Sequence, residues 1–126
     1  MKFLLDTHLL LWWLSNSPHL PAQARQLVGD PDNTIFVSAV NHWEVWLKSS
    51  IGKLRVPPGF ARKLAAEPFA ALPLRAEHTS DVAMLEWHHR DPFDRMLIAQ
   101  ARGENLVLLT ADRALSAYGK LVRVLN

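Results

Sequence analysis

The sequence predicts an α/β fold, a single three-layer α/β/α domain over residues 1–126 with a central, mainly parallel five-stranded sheet. Short apolar, β-branched runs alternate with segments that have helical periodicity, and this alternation is typical of parallel strands joined by right-handed crossovers. No internal repeat or change of composition marks a second domain. With 126 residues, 49% of them apolar, the chain is long enough to bury one core.

Five segments have the composition of buried strands. Leu106–Thr110 is the clearest of them, and Phe69–Leu72 is the weakest. The predicted strands are Phe3–Leu5, Thr34–Val37, Phe69–Leu72, Leu106–Thr110 and Val122–Leu125.

Helical segments lie between these strands, and most carry a start or stop signal. Ser38 is a suitable N-cap, Pro21 and Pro92 lie near first turns, and Gly52 and Gly103 follow periodic segments. The predicted helices are Leu9–Leu14, Pro21–Val28, Ala39–Ser50, Phe60–Glu67, Glu77–His88, Asp91–Arg102 and Ala111–Gly119.

Composition sets loose limits on function. The formal net charge of +2 permits a nucleic-acid partner without demanding one, and nine of the fourteen cations are arginines, which bind phosphate well. The absence of cysteine excludes disulfides and Cys-ligated zinc. Because Asp6 interrupts the N-terminal apolar run and no small-residue cleavage site follows, we expect a cytoplasmic protein without a signal peptide or membrane span.

Four acidic residues lie at equivalent junctions of the predicted fold. Asp6 follows the first strand and Asp112 follows the fourth, while Asp94 lies in the first turn of the helix before that strand. Glu44 lies about one turn into its helix. Because all strand-to-helix junctions of a parallel sheet share one edge, we expect these four side chains to converge there.

Helix capping is the simplest alternative explanation for the aspartates, but it does not account for Glu44. Val40, Glu44, Leu47 and Ile51 form a single helical stripe, so Glu44 is an acid on an otherwise apolar face. An unpaired buried carboxylate is costly, and two unit charges 4 Å apart repel by roughly 4 kcal/mol at an effective dielectric constant of 20. Bound Mg²⁺ or Mn²⁺ would account for the whole set, because both ions prefer oxygen ligands.

Four stretches of the sequence together resemble a PIN domain, and more narrowly the VapC-type toxins of bacterial toxin–antitoxin pairs. The resemblance covers essentially the whole chain, and the block from Asp91 to Ala101 is its most specific part. The stretches are Leu4–His8, Ser38–Glu44, His89–Ala101 and Leu109–Asp112.

This resemblance implies a metal-dependent endoribonuclease that hydrolyses single-stranded RNA, and structured RNA is a further candidate substrate. Asp6, Glu44, Asp94 and Asp112 would be both the catalytic residues and the ligands of Mg²⁺ or Mn²⁺. The implied protein partners are a cognate antitoxin and a second copy of the chain in a homodimer. The Trp-rich helix Leu9–Leu14 and Trp46 are candidate contact surfaces.

Several further residues are assigned to the site by their position. Asp91, Thr110 and His8 are expected to support it, by capping or by hydrogen bonds. Arg95 and Arg113, each adjacent to an expected ligand, are the preferred RNA-binding cations. We expect the three histidines of the C-terminal half to have a structural or surface role, because they lack metal-ligand spacing. These are His78, His88 and His89.

Two other functions fit parts of the pattern. An aspartate-dependent phosphatase of the haloacid-dehalogenase type also begins with a strand that ends in Asp, but it needs a second Asp where this chain has His8. A non-catalytic α/β protein-binding module would use its acids only as helix caps, and Glu44 argues against it.

Overall fold

The computed structural model describes residues 1–126, and a five-stranded sheet with parallel pairing throughout forms its centre. In the register, Phe3 pairs with Ile35 on one side and with Val107 on the other. The strands are β1 (Lys2–Leu5), β2 (Thr34–Ser38), β3 (Ala70–Leu72), β4 (Val107–Thr110) and β5 (Val122–Val124), in the order β3-β2-β1-β4-β5. The predicted fold class is confirmed.

Helices cover both faces of the sheet. Successive side chains of β1 point to opposite faces, so Phe3 and Leu5 belong to one buried cluster and Leu4 to the other. This gives three layers. The helices are α1 (Thr7–Leu14), α2 (Ala22–Gly29), α3 (Ala39–Ser50), α4 (Phe60–Ala65), α5 (Ala76–Ala83) and α6 (Pro92–Glu104), followed by a 3₁₀ segment (Arg113–Leu121). None of these helices has the length and hydropathy needed to cross a membrane.

The strand order places a topological switch point beside the central strand. The chain proceeds outward from β1 through β2 to β3, and then returns to the other side of β1 to form β4 and β5. In open α/β sheets, ligands bind outside the carboxyl ends of the strands at such a point. Here Asp6 follows β1 and Asp112 lies two residues beyond the end of β4.

Several helix ends differ from the sequence-based prediction: α4 ends at Ala65 rather than Glu67, and the predicted helix Ala111–Gly119 is the 3₁₀ segment Arg113–Leu121. Helix α5 ends at Ala83 rather than at His88, because the guanidinium of Arg95 takes the carbonyl oxygens of Val82 (3.1 Å) and Glu86 (3.0 Å) as acceptors. Helix α6 continues through Gly103 and ends at Glu104, since Asn105 adopts a left-handed conformation with φ 56°.

The apolar stripe predicted on α3 is correct only for its first half. Val40 and Glu44 are buried, whereas Leu47 and Ile51 are 39% and 56% exposed. All buried residues of α3 lie within its first seven positions, so its second half extends beyond the packed layers. Residues with apolar periodicity are therefore left on the surface.

Candidate active site

Asp6 is held at the carboxyl edge by two hydrogen bonds. It is 5% exposed and caps α1 by accepting a hydrogen bond from the Leu9 N–H at 2.9 Å, while its other oxygen accepts one from the Thr110 hydroxyl. Burial raises the pKa of Asp6, against the lowering effect of these hydrogen bonds. The position of this carboxylate is thus fixed by two different elements of the fold.

Glu44 is equally buried, at 3% exposure, and both of its oxygens have partners. The Thr7 hydroxyl donates to Oε1 at 2.5 Å, and the Lys48 ammonium forms an ion pair with Oε2. Asn41 Nδ2 donates to the Leu5 carbonyl and to the Thr7 hydroxyl oxygen, each at 3.1 Å. Because Asn41 occupies a lone pair of that oxygen, the Thr7 hydroxyl proton is directed at Glu44.

Asp94, His89 and Asp112 form a second group, which does not include Asp6 or Glu44. His89 Nε2 is 2.9 Å from Asp94 Oδ2, and their side chains are 21% and 22% exposed, whereas Asp112 is exposed. One ligand atom from each of the three residues lies within 4.8 Å of the others. This spacing suits a shared cation.

Burial and neighbouring negative charges raise the pKa of Asp94 to about 6. Burial is the largest cause, followed by the negative charge of Asp91, and the charges of Asp6 and Glu44 add to it. Although partial burial opposes protonation of Lys48, its hydrogen bond and ion pair with Glu44 raise the pKa of the ammonium, with help from Asp91 and Asp94. The charges of Asp6, Glu44 and Asp94 therefore act on one another. Asp112 is placed beside Asp94 by the distances between their ligand atoms.

The supporting residues are also at the site. Thr110 accepts a hydrogen bond from the Asp112 N–H at 3.0 Å while it donates to Asp6. Asp91 caps α6 by accepting a hydrogen bond from the Asp94 N–H at 2.9 Å. His8 lines a cleft of about 340 Å³ together with Asp6, Trp12, Ala111 and Asp112.

The donor set fits a hard divalent cation. It consists of carboxylate oxygens and one imidazole without any thiolate, which favours Mg²⁺ or Mn²⁺ over softer ions. Burial is the main reason that the pKa values of Asp6 and Asp94 are raised, and neighbouring carboxylates add to it, so the fold holds these charges at a cost. A cation bound between them would offset that cost.

Two sequence-based assignments need correction. His89 belongs to the site, although a structural or surface role was predicted for it. Arg95 is 4% exposed, its guanidinium donates to main-chain carbonyls and to the Tyr118 hydroxyl, and it stacks 3.7 Å from the centre of the Trp87 ring. It is therefore not available to bind RNA phosphates. Arg113 is exposed and forms no ion pair.

Fold and site together define an α/β domain with an acidic, metal-type centre at the switch point of a parallel sheet. A family model described as the PIN domain matches residues 3–121. The chain belongs to the PIN domain family, whose nucleases are generally hydrolases that use a divalent metal. No curated protein matches the sequence significantly.

Solved structures share the fold over nearly the full length of the chain. VapBC2 from Rickettsia felis, bound to a DNA fragment from its promoter, superposes with a TM-score of 0.72 at 16% identity and 100% coverage of both chains. DNA-bound VapBC from Salmonella typhimurium gives 0.69 at 15% identity and 98% coverage of both. VapBC-5 from Mycobacterium tuberculosis, of a family of toxin–antitoxin systems, gives 0.61 at 19% identity, covering 99% of this chain and 98% of its own.

Proposed function

We propose that this chain is a Mg²⁺- or Mn²⁺-dependent endoribonuclease that hydrolyses single-stranded RNA as the cytoplasmic toxin of a bacterial toxin–antitoxin pair. The observation that carries the proposal is that Asp6, Glu44 and Asp94 lie close enough for their charges to interact, with Asp112 beside Asp94 at the same edge of the sheet. The full-length similarity to the toxin–antitoxin structures supports the biological role.

Glu44 distinguishes this function from a protein-binding module. A carboxylate that is 3% exposed does not contact a protein partner, and it caps no helix. In stability alone it is unfavourable, since several kcal/mol are typically needed to transfer an ion into a protein interior. A catalytic role accounts for its retention, together with the Thr7–Asn41 hydrogen bonds that orient it.

The chain's residues have separate tasks in this mechanism. Asp6, Glu44, Asp94 and Asp112 would hold the cation, with His89 as a further ligand or as the group that orients Asp94. A divalent cation, when bound, neutralises phosphate charge and makes water a usable nucleophile near neutral pH. Thr110 fixes Asp6, and Thr7 fixes the carboxylate plane of Glu44.

Cations beside the acids would bind the RNA backbone. Lys48 lies within the field of three carboxylates and can exchange its contact with Glu44 for a phosphate oxygen. Arg113 is exposed directly after Asp112. These two side chains flank the acids and replace Arg95 in this role.

Protein partners would use the exposed apolar surface. Trp46, Leu47 and Ile51 are 49%, 39% and 56% exposed on the projecting half of α3. We assign this surface to the cognate antitoxin or to a second copy of the chain in a homodimer. Isolated exposed apolar residues need no explanation, but a contiguous set marks an interaction surface.

The test is incubation of the purified protein with a panel of defined RNAs in Mg²⁺, in Mn²⁺ and in EDTA, beside an Asp6→Asn variant. Asn remains a good N-cap, so this variant should keep α1 intact. We expect cleavage that needs the metal and disappears in Asp6→Asn. Equal cleavage by the variant, or cleavage in EDTA, would contradict the proposal.

A further inference from the structure

We propose that the cleft between Trp43 and Trp87 binds one unpaired nucleobase of the RNA, next to the scissile phosphate. This inference rests on the proposed function and adds a substrate subsite to it. The cleft has a volume of about 290 Å³. An apolar cavity of about 150 Å³ binds benzene in another protein, so one base fits here. Its walls are Trp43, Val82, Trp87, Arg90, Pro92, Arg95 and Met96.

Trp87 is presented as a stacking platform. Its ring is 75% exposed, while Arg95 stacks on it at 3.7 Å from the ring centre. Arg95 also donates to the carbonyls of Glu86 (3.0 Å) and His89 (3.4 Å), on either side of Trp87. The Arg95 guanidinium thus holds the loop that carries Trp87 in place, and one face of the Trp87 indole stays in solvent. Holding the ring in place lowers the entropic cost of binding a flat ligand.

The opposite wall is also aromatic and fixed. Trp43 is 53% exposed, and its ring packs edge-on against buried Phe93, with the ring centres 4.7 Å apart. Single-stranded nucleic acids are typically bound by such aromatic side chains, because every base has a face that can stack.

Charge and position favour a nucleotide over a protein side chain. The cleft is lined by two arginines, Arg90 and Arg95, and by no carboxylate. Contacts also connect it to the acids: Trp43 packs on Phe93, whose ring centre lies 5.4 Å from the Lys48 ammonium, and Lys48 forms an ion pair with Glu44. A strand whose phosphate lies at the acids therefore has an adjacent base within reach of the cleft.

The experiment combines protein variants with an RNA that lacks one base. For an RNA that the wild-type protein cleaves, an abasic ribose is introduced in turn at each nucleotide flanking the cut. Cleavage is measured for wild type, Trp87→Leu, Trp87→Phe and the matched control Met84→Ala, which removes another highly exposed apolar side chain (78%) that does not line the cleft.

We expect Trp87→Leu to raise KM by roughly tenfold or more, the usual effect of losing one stacked base, with little change in kcat. Trp87→Phe and Met84→Ala should stay close to wild type. One abasic position should cause the same rise in the wild-type protein, and Trp87→Leu should not discriminate against that RNA. If Trp87→Leu raised KM relative to wild type by the same factor on the intact RNA and on the abasic RNA, the subsite would be overturned. The subsite would also be overturned if sedimentation showed that Trp87→Leu converts a dimer to a monomer and that this change accounts for the lost cleavage. The cleft would then be a contact between two copies of the chain.

A binding measurement separates failure of the subsite from failure of the proposed function. The indole N–H resonance that disappears in Trp87→Leu is followed while AMP or ribose 5-phosphate is added to the wild-type protein. A shift with AMP alone supports the base site even if no RNA in the panel is cleaved. The absence of any shift overturns it even if cleavage is observed.

Discussion

The two halves of the acid site differ in how they are held. Asp6 and Glu44 are almost fully buried, and each of their four oxygens contacts a donor of the chain, from Leu9, Thr110, Thr7 or Lys48. In the other half, Asp94 and His89 keep about a fifth of their side-chain surface in solvent.

This difference gives the two halves different roles. The buried half is fixed by helix caps and side-chain hydrogen bonds, so its geometry is set when the protein folds. The partly exposed side chains of the other half can exchange water or a cation with solvent at low cost. We therefore expect substitutions in the buried half to affect the reaction most, and substitutions in the open half to affect protonation and metal affinity.

The largest expected effect is that of Glu44→Gln. Gln still accepts the Thr7 hydrogen bond, but it lacks the negative charge that a cation and Lys48 need. We expect RNA cleavage to fall by about 100-fold or more, beyond the 10–100-fold typical of groups that only orient ligands. Glu77→Gln, an exposed acid in the first turn of α5, is the matched control. An unchanged cleavage rate would exclude a catalytic role for Glu44.

Thr7→Val tests whether orientation of the buried half matters. Val keeps the shape of Thr but cannot donate to Glu44 or accept from Asn41. We expect a 10–100-fold loss of cleavage, with recovery in Thr7→Ser, which restores the hydroxyl. Cleavage rates and Mn²⁺ affinities of the two variants provide the measurement. Equal impairment of Ser and Val would show that the hydroxyl has no orienting role.

Asp94→Asn should stabilise the metal-free protein at neutral pH. Folding raises the pKa of Asp94 from 3.8 to about 6, so the unfolded chain releases this proton first as the pH rises. The resulting penalty on the folded state grows over that window and is complete above it. We expect the variant to gain about 1–3 kcal/mol in unfolding free energy at pH 8 in EDTA, and to gain nothing below pH 4. Denaturant titrations at both pH values test this, and a gain that is independent of pH would contradict the electrostatic origin.

The smallest expected effect is that of Arg113→Ala. One exposed cation that binds a phosphate contributes equally to all sequences. RNA affinity should fall modestly and uniformly, and the slope of log affinity against log salt should decrease in magnitude by about 0.7. Binding titrations in EDTA over a range of salt concentrations measure it. An unchanged slope would place Arg113 outside the RNA path.

The sequence predicted the sheet and most of the buried half of the site for a physical reason. A buried parallel strand reads as a short apolar run, and the residue that ends it is placed by topology alone, as for Asp6. Capping and ligation were posed as alternatives for the aspartates, yet Asp6, Asp91 and Asp112 all cap helices. A cap orients a carboxylate at the sheet edge, so the two roles are compatible.

The open half could not be predicted in the same way. His89 lies in a loop without periodicity, and its contact with Asp94 depends on the early end of α5. That end depends in turn on the burial of Arg95, which no local pattern indicates. A histidine two residues before the cap Asp91 is the one signal available, and it is weak. Lys48 lies four residues after Glu44, the spacing at which side chains of one helix meet, so its ion pair with Glu44 follows from the sequence once α3 is predicted.

The buried and the open half should bind one divalent cation together, and calorimetric titration of Mn²⁺ tests this shared site. The titration compares wild type with one variant from each half, Asp6→Asn and Asp94→Asn. Asp32→Asn, an exposed aspartate outside the site, serves as the control. We expect wild type and the control to bind Mn²⁺, with affinity reduced at least about tenfold in both site variants. Mn²⁺ affinity that is unchanged in either site variant would contradict a site shared by the two halves.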